Sequence, residues 1–267
     1  GVTVSSNGTF GFASNPSQTN TVVNTRFTIH NSTFSGNNTA GGGNNHVMFF
    51  GAFQGDATIS NVDITANQRA HGIVFNGWGN TTVAQWPAAG TIVMNDVVFN
   101  GTIDKTCTYF YRYSTLAGVT MTDCDMSAVT TLPTWHQLSA DTLGTLNAGN
   151  TKLRSISSGG CAIDATACAF YDSVGAVDKS VLANLYRIEN AIRHQVDTGV
   201  TGLVRVNAAS VYLSKNSGTL ENAIAASSAG DVVYVEDGTA WTLVNEITKS
   251  ITFSGNFNFT AANIPTG

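Results

Sequence analysis

Apolar and polar positions alternate in four segments of the first half of the chain, and these segments align with one another. The segments are residues 27–34, 57–64, 92–99 and 119–126, separated by steps of 30, 35 and 27 residues. Successive side chains of a β-strand point to opposite faces, so a period of two predicts strands with one buried face. Self-similarity at steps of this length is typical of repeat architectures.

The alignment brings similar residues into four columns. One apolar column holds Ile29, Ile59, Met94 and Met121. A second holds Phe34, Ile64, Phe99 and Met126, and a third holds Ser32, Val62, Val97 and Cys124. The polar fourth column holds Asn31, Asn61, Asp96 and Asp123. We expect the first two columns to fill an interior, and the polar column to form a stacking ladder at a bend.

A second short strand follows in each repeat, at residues 47–50, 73–76 and 108–111. These runs are rich in aromatic and β-branched residues. Repeats with several short strands, none able to close a core alone, predict a right-handed parallel β-helix in a mostly all-β chain. The alternative is a β-sandwich of many short strands, against which the alignment of the columns argues.

The C-terminal part changes its pattern. Residues 178–197 carry an apolar stripe of helical period, with Asp178 as the expected N-cap and Gly199 as the stop. Further expected elements are strands at 202–206, 210–213, 231–235, 241–244 and 250–253, and a short helix at 219–226. The predicted domains are a β-helix body (1–175), a linker with an amphipathic helix (176–216) and a capping helix with the opening coils of a further β-helix (217–267).

Composition narrows the function. Charged residues make up 11% of the chain, against about 25% in typical proteins. With 12 Lys+Arg and a net charge of −5 there is no basic stripe, so nucleic acid is not an expected partner. No apolar run approaches the length of a membrane span. The chain starts at Gly1 without the pattern of a signal peptide, and we expect a mature or excised extracellular piece that needs no cofactor.

Four cysteines match no zinc spacing, so no metal site is expected from them. Cys124 lies in an alternating strand and is expected to be a buried thiol. Cys161 and Cys168 are close enough in sequence for a disulfide, and a bridge or two free thiols both stay open. Asn-x-Ser/Thr sequons, favoured as chance products of an Asn- and Thr-rich chain, begin at Asn7, Asn31, Asn37, Asn80, Asn100 and Asn258.

Residues 217–239 resemble the opening coil of pectate-lyase-like β-helices, where a short capping helix precedes an Ala-Gly-Asp-x-Val-x-Val strand, here at 229–235. Residues 249–253 look like the first strand of the next coil. Two segments are similar to linkers of large bacterial surface proteins, residues 185–190 and 202–206. Two others look like the β-helix body of those proteins, residues 70–78 and 109–113. The resemblance implies a fold and hardly constrains the activity.

The order of these parts suggests an assembly. The cap and first coil normally open a β-helix, yet here they follow the body. Both ends would then present unpaired strand edges, which can pair with another chain. We expect either head-to-tail stacking of identical subunits into a filament, or a fragment of a longer multi-module protein. The first hypothesis for function is therefore a structural subunit or adhesin module of an extracellular filament at the cell surface.

An enzyme is the competing hypothesis. Glycoside hydrolysis needs two carboxyl groups facing one groove, and the candidates are Asp123 and Asp125, with Asp96 one repeat away. The structural role of Asp123 in the ladder is the favoured interpretation. A lyase needs a Ca²⁺ site and a base, but no dense acidic cluster accompanies Lys105 and Arg112, the only bases nearby.

Histidine and aromatic residues offer a third kind of site. His71 precedes a glycine, as in some pectin hydrolases, but the aspartate motifs found there are missing, so a structural role is favoured. The aromatic-rich stretch comprises Trp78, Trp86, Tyr109, Tyr111, Tyr113 and Trp135. Such rings either stack on surface glycans, as in a phage tailspike-like protein, or pack a loop against the sheets, and packing is the favoured interpretation.

Overall fold

The computed structural model describes residues 3–5, 10–14, 26–35, 46–51, 55–65, 71–77, 90–111, 113, 115–131, 133–200, 202–238, 241, 243 and 247–255. Over these residues the chain is mostly β, and its sheets are built from parallel strands. The alternating segments predicted strands, and this coarse prediction is confirmed. Trp78, Trp86 and Arg112 lie outside the described residues.

Two long parallel sheets dominate the structure. The first sheet contains, in spatial order, β1 (Thr3–Ser5), β3 (Arg26–Ser35), β5 (Asp56–Thr65), β7 (Ile92–Asn100), β9 (Leu116–Thr122), β11 (Gly144–Asn147), β14 (Cys161–Asp164) and β17 (Val204–Arg205). The second sheet contains β2 (Phe10–Ser14), β4 (His46–Gly51), β6 (His71–Asn76), β8 (Thr108–Tyr111), β10 (Leu138–Asp141), β13 (Ile156–Ser158) and β16 (Ile192–Arg193). From β1 to β11 the chain enters the two sheets alternately, so each strand pairs with the strand two further along.

Strand register brings the aligned segments together. Ile59 pairs with Ile29 on one side and with Met94 on the other, and Met94 pairs with Met121. These side chains are fully buried except Ile29, which is partly buried against the same core. Phe34, Ile64, Phe99 and Met126 form the second buried column. The fourth segment is shorter than the others, because β9 ends at Thr122 and only a bridge from Asp125 to Val98 continues the pairing.

The inner face of the second sheet contributes an aromatic column. Phe50, Phe75 and Phe110 are buried and stack with ring centroids 4.7 and 5.4 Å apart. Their planes are nearly parallel, at 11° and 5°. Similar rings on neighbouring strands can stack in this way only if the strands are in register. The column therefore fixes the pairing of β4, β6 and β8.

The C-terminal part adds one short strand pair, a three-stranded sheet and three helices. A small pair joins β12 (Lys152–Leu153) to β15 (Ala169–Phe170), and a third sheet is ordered β18 (Ser210–Leu213), β19 (Val232–Val235), β20 (Thr252–Ser254). The helices are α1 (Leu182–Glu189), α2 (Gln195–Thr198) and α3 (Leu220–Ala226). All strand pairs of the third sheet are parallel.

The predicted single helix over 178–197 is wrong. The helix breaks because Ile192 leaves the helical stripe to pair with Ile156 in the second sheet, which divides the segment into α1, β16 and α2. Asp178 is not the N-cap. Val181 occupies that position, and the Asp178 carboxylate instead accepts a hydrogen bond from the Ser180 amide at 2.8 Å. Gly199 does end α2, with a left-handed φ of 70°.

The expected short helix α3 and its neighbouring strands are present. Thr219 caps α3 by accepting a hydrogen bond from the Asn222 amide, and Lys249 donates to three carbonyl oxygens at the other end of the helix, those of Ile224, Ala225 and Ser227. The strand expected at 202–206 is only Val204–Arg205. Trp241 and Leu243 are described without strand structure, and the rest of the strand expected at 241–244 lies outside the described residues.

Buried apolar residues form two clusters. The larger one reaches from Phe34 to Tyr212 and includes residues of α1, while the smaller one lies between α2, α3 and the third sheet. The predicted boundaries after residues 175 and 216 stay predictions. No helix in the described part of the chain is long and apolar enough to cross a bilayer.

Candidate functional site

The polar column occupies a bend inside β3, β5 and β7 and directly after β9. Asn31, Asn61, Asp96 and Asp123 have left-handed φ angles of 50°, 51°, 52° and 52°. Asn and Asp are the non-glycine residues that adopt this conformation most readily, because their short polar side chains bond locally. The bend turns the chain, so alternate residues on both sides of it still face the interior.

Hydrogen bonds connect parts of this column. The Asn61 side-chain amide donates to Asn31 Oδ1 at 2.7 Å. Asn150, which the sequence alignment missed, extends the column: its side-chain amide donates to Asp123 Oδ1, and its Oδ1 accepts from the Asp123 backbone amide at 2.9 Å. In this repeat the left-handed conformation lies one residue earlier, at Gly149 with φ of 53°, although Asn150 follows Asp123 by 27 residues, the same step as from Asp96 to Asp123.

Two of the three carboxylates considered for catalysis, Asp123 and Asp125, make structural contacts. Asp125 accepts hydrogen bonds from the Ser127 amide and hydroxyl and from Lys152 Nζ. Burial alone would raise the pKa of Asp125, but these hydrogen bonds hold it below its usual value. A general acid needs a raised pKa, so Asp125 is poorly suited to that role. Asp96 and Asp123 are exposed on the ladder.

Five aromatic and histidine rings of β4, β6 and β8 form a stack. Phe49, His46, His71, Tyr109 and Tyr111 are neighbours in this order, with successive centroids 4.9, 5.2, 5.3 and 5.0 Å apart. Trp135 places its edge against His71 at 5.0 Å, and Lys105 Nζ lies over the Trp135 ring. The three middle rings, those of His46, His71 and Tyr109, have ring neighbours on both sides, so these rings pack against one another.

This ring stack keeps its histidines uncharged. Burial and the positive charge of Lys105 lower the pKa of His46 to about 4, and burial, His46 and Lys105 lower the pKa of His71 to about 3. Tyr109 donates from its hydroxyl to Asp141 Oδ2 at 2.7 Å. Tyr113 is not part of the stack, since it is buried in the interior with an exposure of 2%. The arrangement supports the structural interpretation of His71.

A buried carboxylate and imidazole meet where the helices join the sheets. His194 Nε2 lies 2.9 Å from Glu189 Oε1, and an Asp197 carboxylate oxygen is a third potential ligand atom within 4.8 Å of these two. The Val204 amide donates to His194 Nδ1 at 3.0 Å. A neutral imidazole carries one proton, which must then be on Nε2. Nε2 therefore donates to Glu189 and has no lone pair for a metal ion, so this cluster is a hydrogen-bonded clamp.

All four cysteines are free and buried. Cys161 and Cys168 therefore do not form the disulfide that the sequence left open. Burial raises the pKa of Cys161 and of Cys168 to about 12 and that of Cys124 to about 11. Thiols in this state are poor nucleophiles and poor metal ligands. They fill interior positions as small apolar side chains.

A groove that the sequence did not predict lies on the outer face of the first sheet. It has a volume of about 650 Å³ and is bounded by β9, β11, β14, β17 and the following turn at 208–209. Its polar side chains come from alternate positions of these strands. They are Thr, Asn and Asp residues that match no motif in the sequence. Only the strand register brings them into one row.

Comparison with known proteins gives no relative. The chain matches no protein-family model, no curated protein and no solved structure. The resemblance of residues 217–239 to pectate-lyase-like coils thus stays a hypothesis drawn from the sequence.

Proposed function

We propose that this chain is a right-handed parallel β-helix that serves as a structural module of an extracellular filament. The observation that carries the proposal is the strand order: successive strands alternate between two parallel sheets, with matching residues in register from β1 to β11. Crossovers between parallel strands are right-handed in nearly all proteins. Apolar and amide columns in register are expected in a stacked solenoid and support this proposal.

Sheet edges support assembly through the ends. Strands β1 and β2 begin the two long sheets, β20 ends the third, and each pairs on one side only within the described residues. Unpaired edges of parallel strands are templates for another strand. Head-to-tail contact between unlike ends builds an open filament when the rotation does not close a ring. The low charge content leaves little electrostatic repulsion between neighbouring copies.

Two of the carboxylates considered for catalysis make contacts between strands. Asp125 is bound by Lys152 and Ser127, and Asp123 is bound by Asn150. These contacts stabilise the stack. The structural function is therefore the one that the described geometry favours.

Electron microscopy and light scattering of the purified chain at increasing concentration test the proposal. We expect regular unbranched filaments, with a repeat along the axis set by one subunit. The double substitution Thr252→Lys and Ser254→Lys places two charges on edge strand β20 and should prevent assembly. A matched control, Ala167→Lys with Ser173→Lys, adds the same charge at exposed sites away from β20 and should assemble normally.

A monodisperse monomer at high concentration would contradict filament assembly and favour a module inside a longer chain. Equal assembly of the edge variant and its control would show that β20 is not a contact.

A further inference from the structure

We propose that the groove on the outer face of the first sheet binds a neutral oligosaccharide. This inference concerns the outer face of the first sheet and goes beyond the structural function. Its volume of about 650 Å³ lies within the range of about 300–1,000 Å³ found for ligand sites. Space of this size accommodates two or three sugar rings.

A row of polar side chains crosses the floor of the groove. Register places Thr120 beside Asn147, Asn147 beside Asp164, and Asp164 beside Arg205. Neighbouring strands are about 4.8 Å apart, so hydrogen-bonding groups recur at a spacing close to the width of one sugar ring. Because the row lies on a paired sheet, its groups are held in place before a ligand arrives, which lowers the entropic cost of binding.

Asp164 has an acceptor left for the ligand. Its Oδ1 accepts from the Thr166 amide at 3.0 Å and from the Thr166 hydroxyl at 2.7 Å. Oδ2 has no hydrogen-bond donor among the described residues, and the side chain is exposed in the groove. A carboxylate oxygen held in this way forms strong hydrogen bonds with ligand hydroxyl groups.

The cations beside the groove are already committed, within the part of the chain that the structure describes. Arg205 Nη2 donates to Asp231 Oδ2 at 2.7 Å, and its Nη1, which has no hydrogen-bond partner among the described residues, is buried away from solvent. Lys179 Nζ donates to the carbonyl oxygens of Thr166 and Val206 at 2.6 and 3.4 Å. An acidic sugar would meet the Asp164 carboxylate without a cation free to pair with it. The groove therefore favours neutral saccharides over uronic acids.

Small residues keep the groove open and shape its wall. Ala162, Ala208 and Gly118 line it and leave room for the carbon-bound hydrogens of a sugar ring. Ala209, also in the lining, has a left-handed φ of 49°. This conformation is unfavourable for an alanine, and strained residues concentrate at functional sites. The strain turns the chain so that residues 208–209 form the wall.

Binding is tested on the whole chain by saturation-transfer NMR and isothermal titration calorimetry. The probes are the neutral trisaccharides maltotriose, cellotriose, mannotriose and chitotriose, and the acidic trigalacturonate. We expect at least one neutral probe to bind with a Kd of about 1 mM or lower, and trigalacturonate to bind at least ten-fold more weakly.

Two variants locate the site. Ala162→Phe fills the groove from an exposed position and should lower the affinity at least ten-fold, while Ala167→Phe, exposed but outside the lining, should leave it unchanged. Asp164→Asn keeps the shape and removes the charge, so we expect about ten-fold weaker binding of the neutral probe and a smaller preference over trigalacturonate. Far-ultraviolet circular dichroism checks that each variant is folded.

The proposal is overturned if no neutral probe binds at about 10 mM, if trigalacturonate binds as tightly, or if Ala162→Phe and Asp164→Asn both bind as the parent chain does. None of these results depends on filament formation, because the edge variant with Thr252→Lys and Ser254→Lys can be titrated in the same way.

Discussion

Thr151 is a polar residue at an interior position, and its neighbours on both sides are buried cysteines. It lies in the first sheet's third column, beside Cys124 on one side and Cys168 on the other, as the backbone hydrogen bonds on both sides indicate. The side chain is fully buried, and its hydroxyl has no hydrogen-bond partner within the described residues. A buried hydroxyl without a partner has lost its water and gained nothing in return.

We predict that Thr151→Val stabilises the fold by about 1 kcal/mol, because valine has the same shape and no polar atom to desolvate. Urea denaturation followed by circular dichroism measures the change in the free energy of unfolding. Thr145→Val is the control, since Thr145 is exposed on the same sheet and should change stability by less than about 0.5 kcal/mol. A destabilised Thr151→Val variant would mean that the hydroxyl has a partner after all.

At the scale of the strand, periodicity in the sequence carries most of the information. The columns through Ile59 and Ile64 follow from a period of two, because any slip of one residue would expose every apolar side chain. The helix over 178–197 could not be predicted correctly, because the apolar stripe of helical period continues through Ile192. Ile192 pairs instead with Ile156, which is distant in the sequence. The groove was also beyond reach, because its row exists only after register is set.

The polar column contains one position that destabilises it. Asp96 stands between Asn61, whose amide points to Asn31, and Asp123, whose carboxylate accepts from Asn150. No hydrogen bond to the Asp96 side chain is found among the described residues, and two carboxylates are neighbours on adjacent strands. Like charges directly opposite one another in a sheet destabilise it.

Asp96→Asn should therefore stabilise the fold by about 0.5–1 kcal/mol, because the new amide donates along the column and the repulsion from Asp123 is removed. Thermal and chemical denaturation measure the effect. Asp63→Asn removes a charge from an exposed position of β5 outside the column and serves as the matched control. An equal gain in both variants would attribute the effect to net charge rather than to the column.

For the whole molecule, the ring stack on the second sheet makes folding sensitive to acid. His71 has a pKa of about 3 in the fold, against about 6.5 in an unfolded chain. Between these values the unfolded chain binds the proton and the folded chain does not. The stability that follows from the lowered pKa of His71 is therefore fully present above about pH 6.5, and it is lost as the pH falls toward the pKa of the folded state.

We expect His71 alone to reduce the free energy of unfolding by about 2 kcal/mol between pH 7.5 and pH 5, a range above the titration of ordinary carboxyl groups. His71→Phe keeps a ring in the stack and should flatten the pH dependence of the urea midpoint by that amount. His30→Phe, at an exposed position of β3, should retain the slope. An unchanged slope in His71→Phe would show that another group senses the acid.

Parallel pairing throughout the two long sheets has a mechanical consequence. The hydrogen bonds between strands point from one strand to the next, along the direction in which β3, β5, β7 and β9 succeed one another. A pull in that direction opens one pair of strands at a time, starting from the outermost, whereas a pull along the strands loads all bonds of a pair at once. The two long sheets therefore resist peeling of their outermost strands weakly, and they resist sliding of one strand along its neighbour strongly.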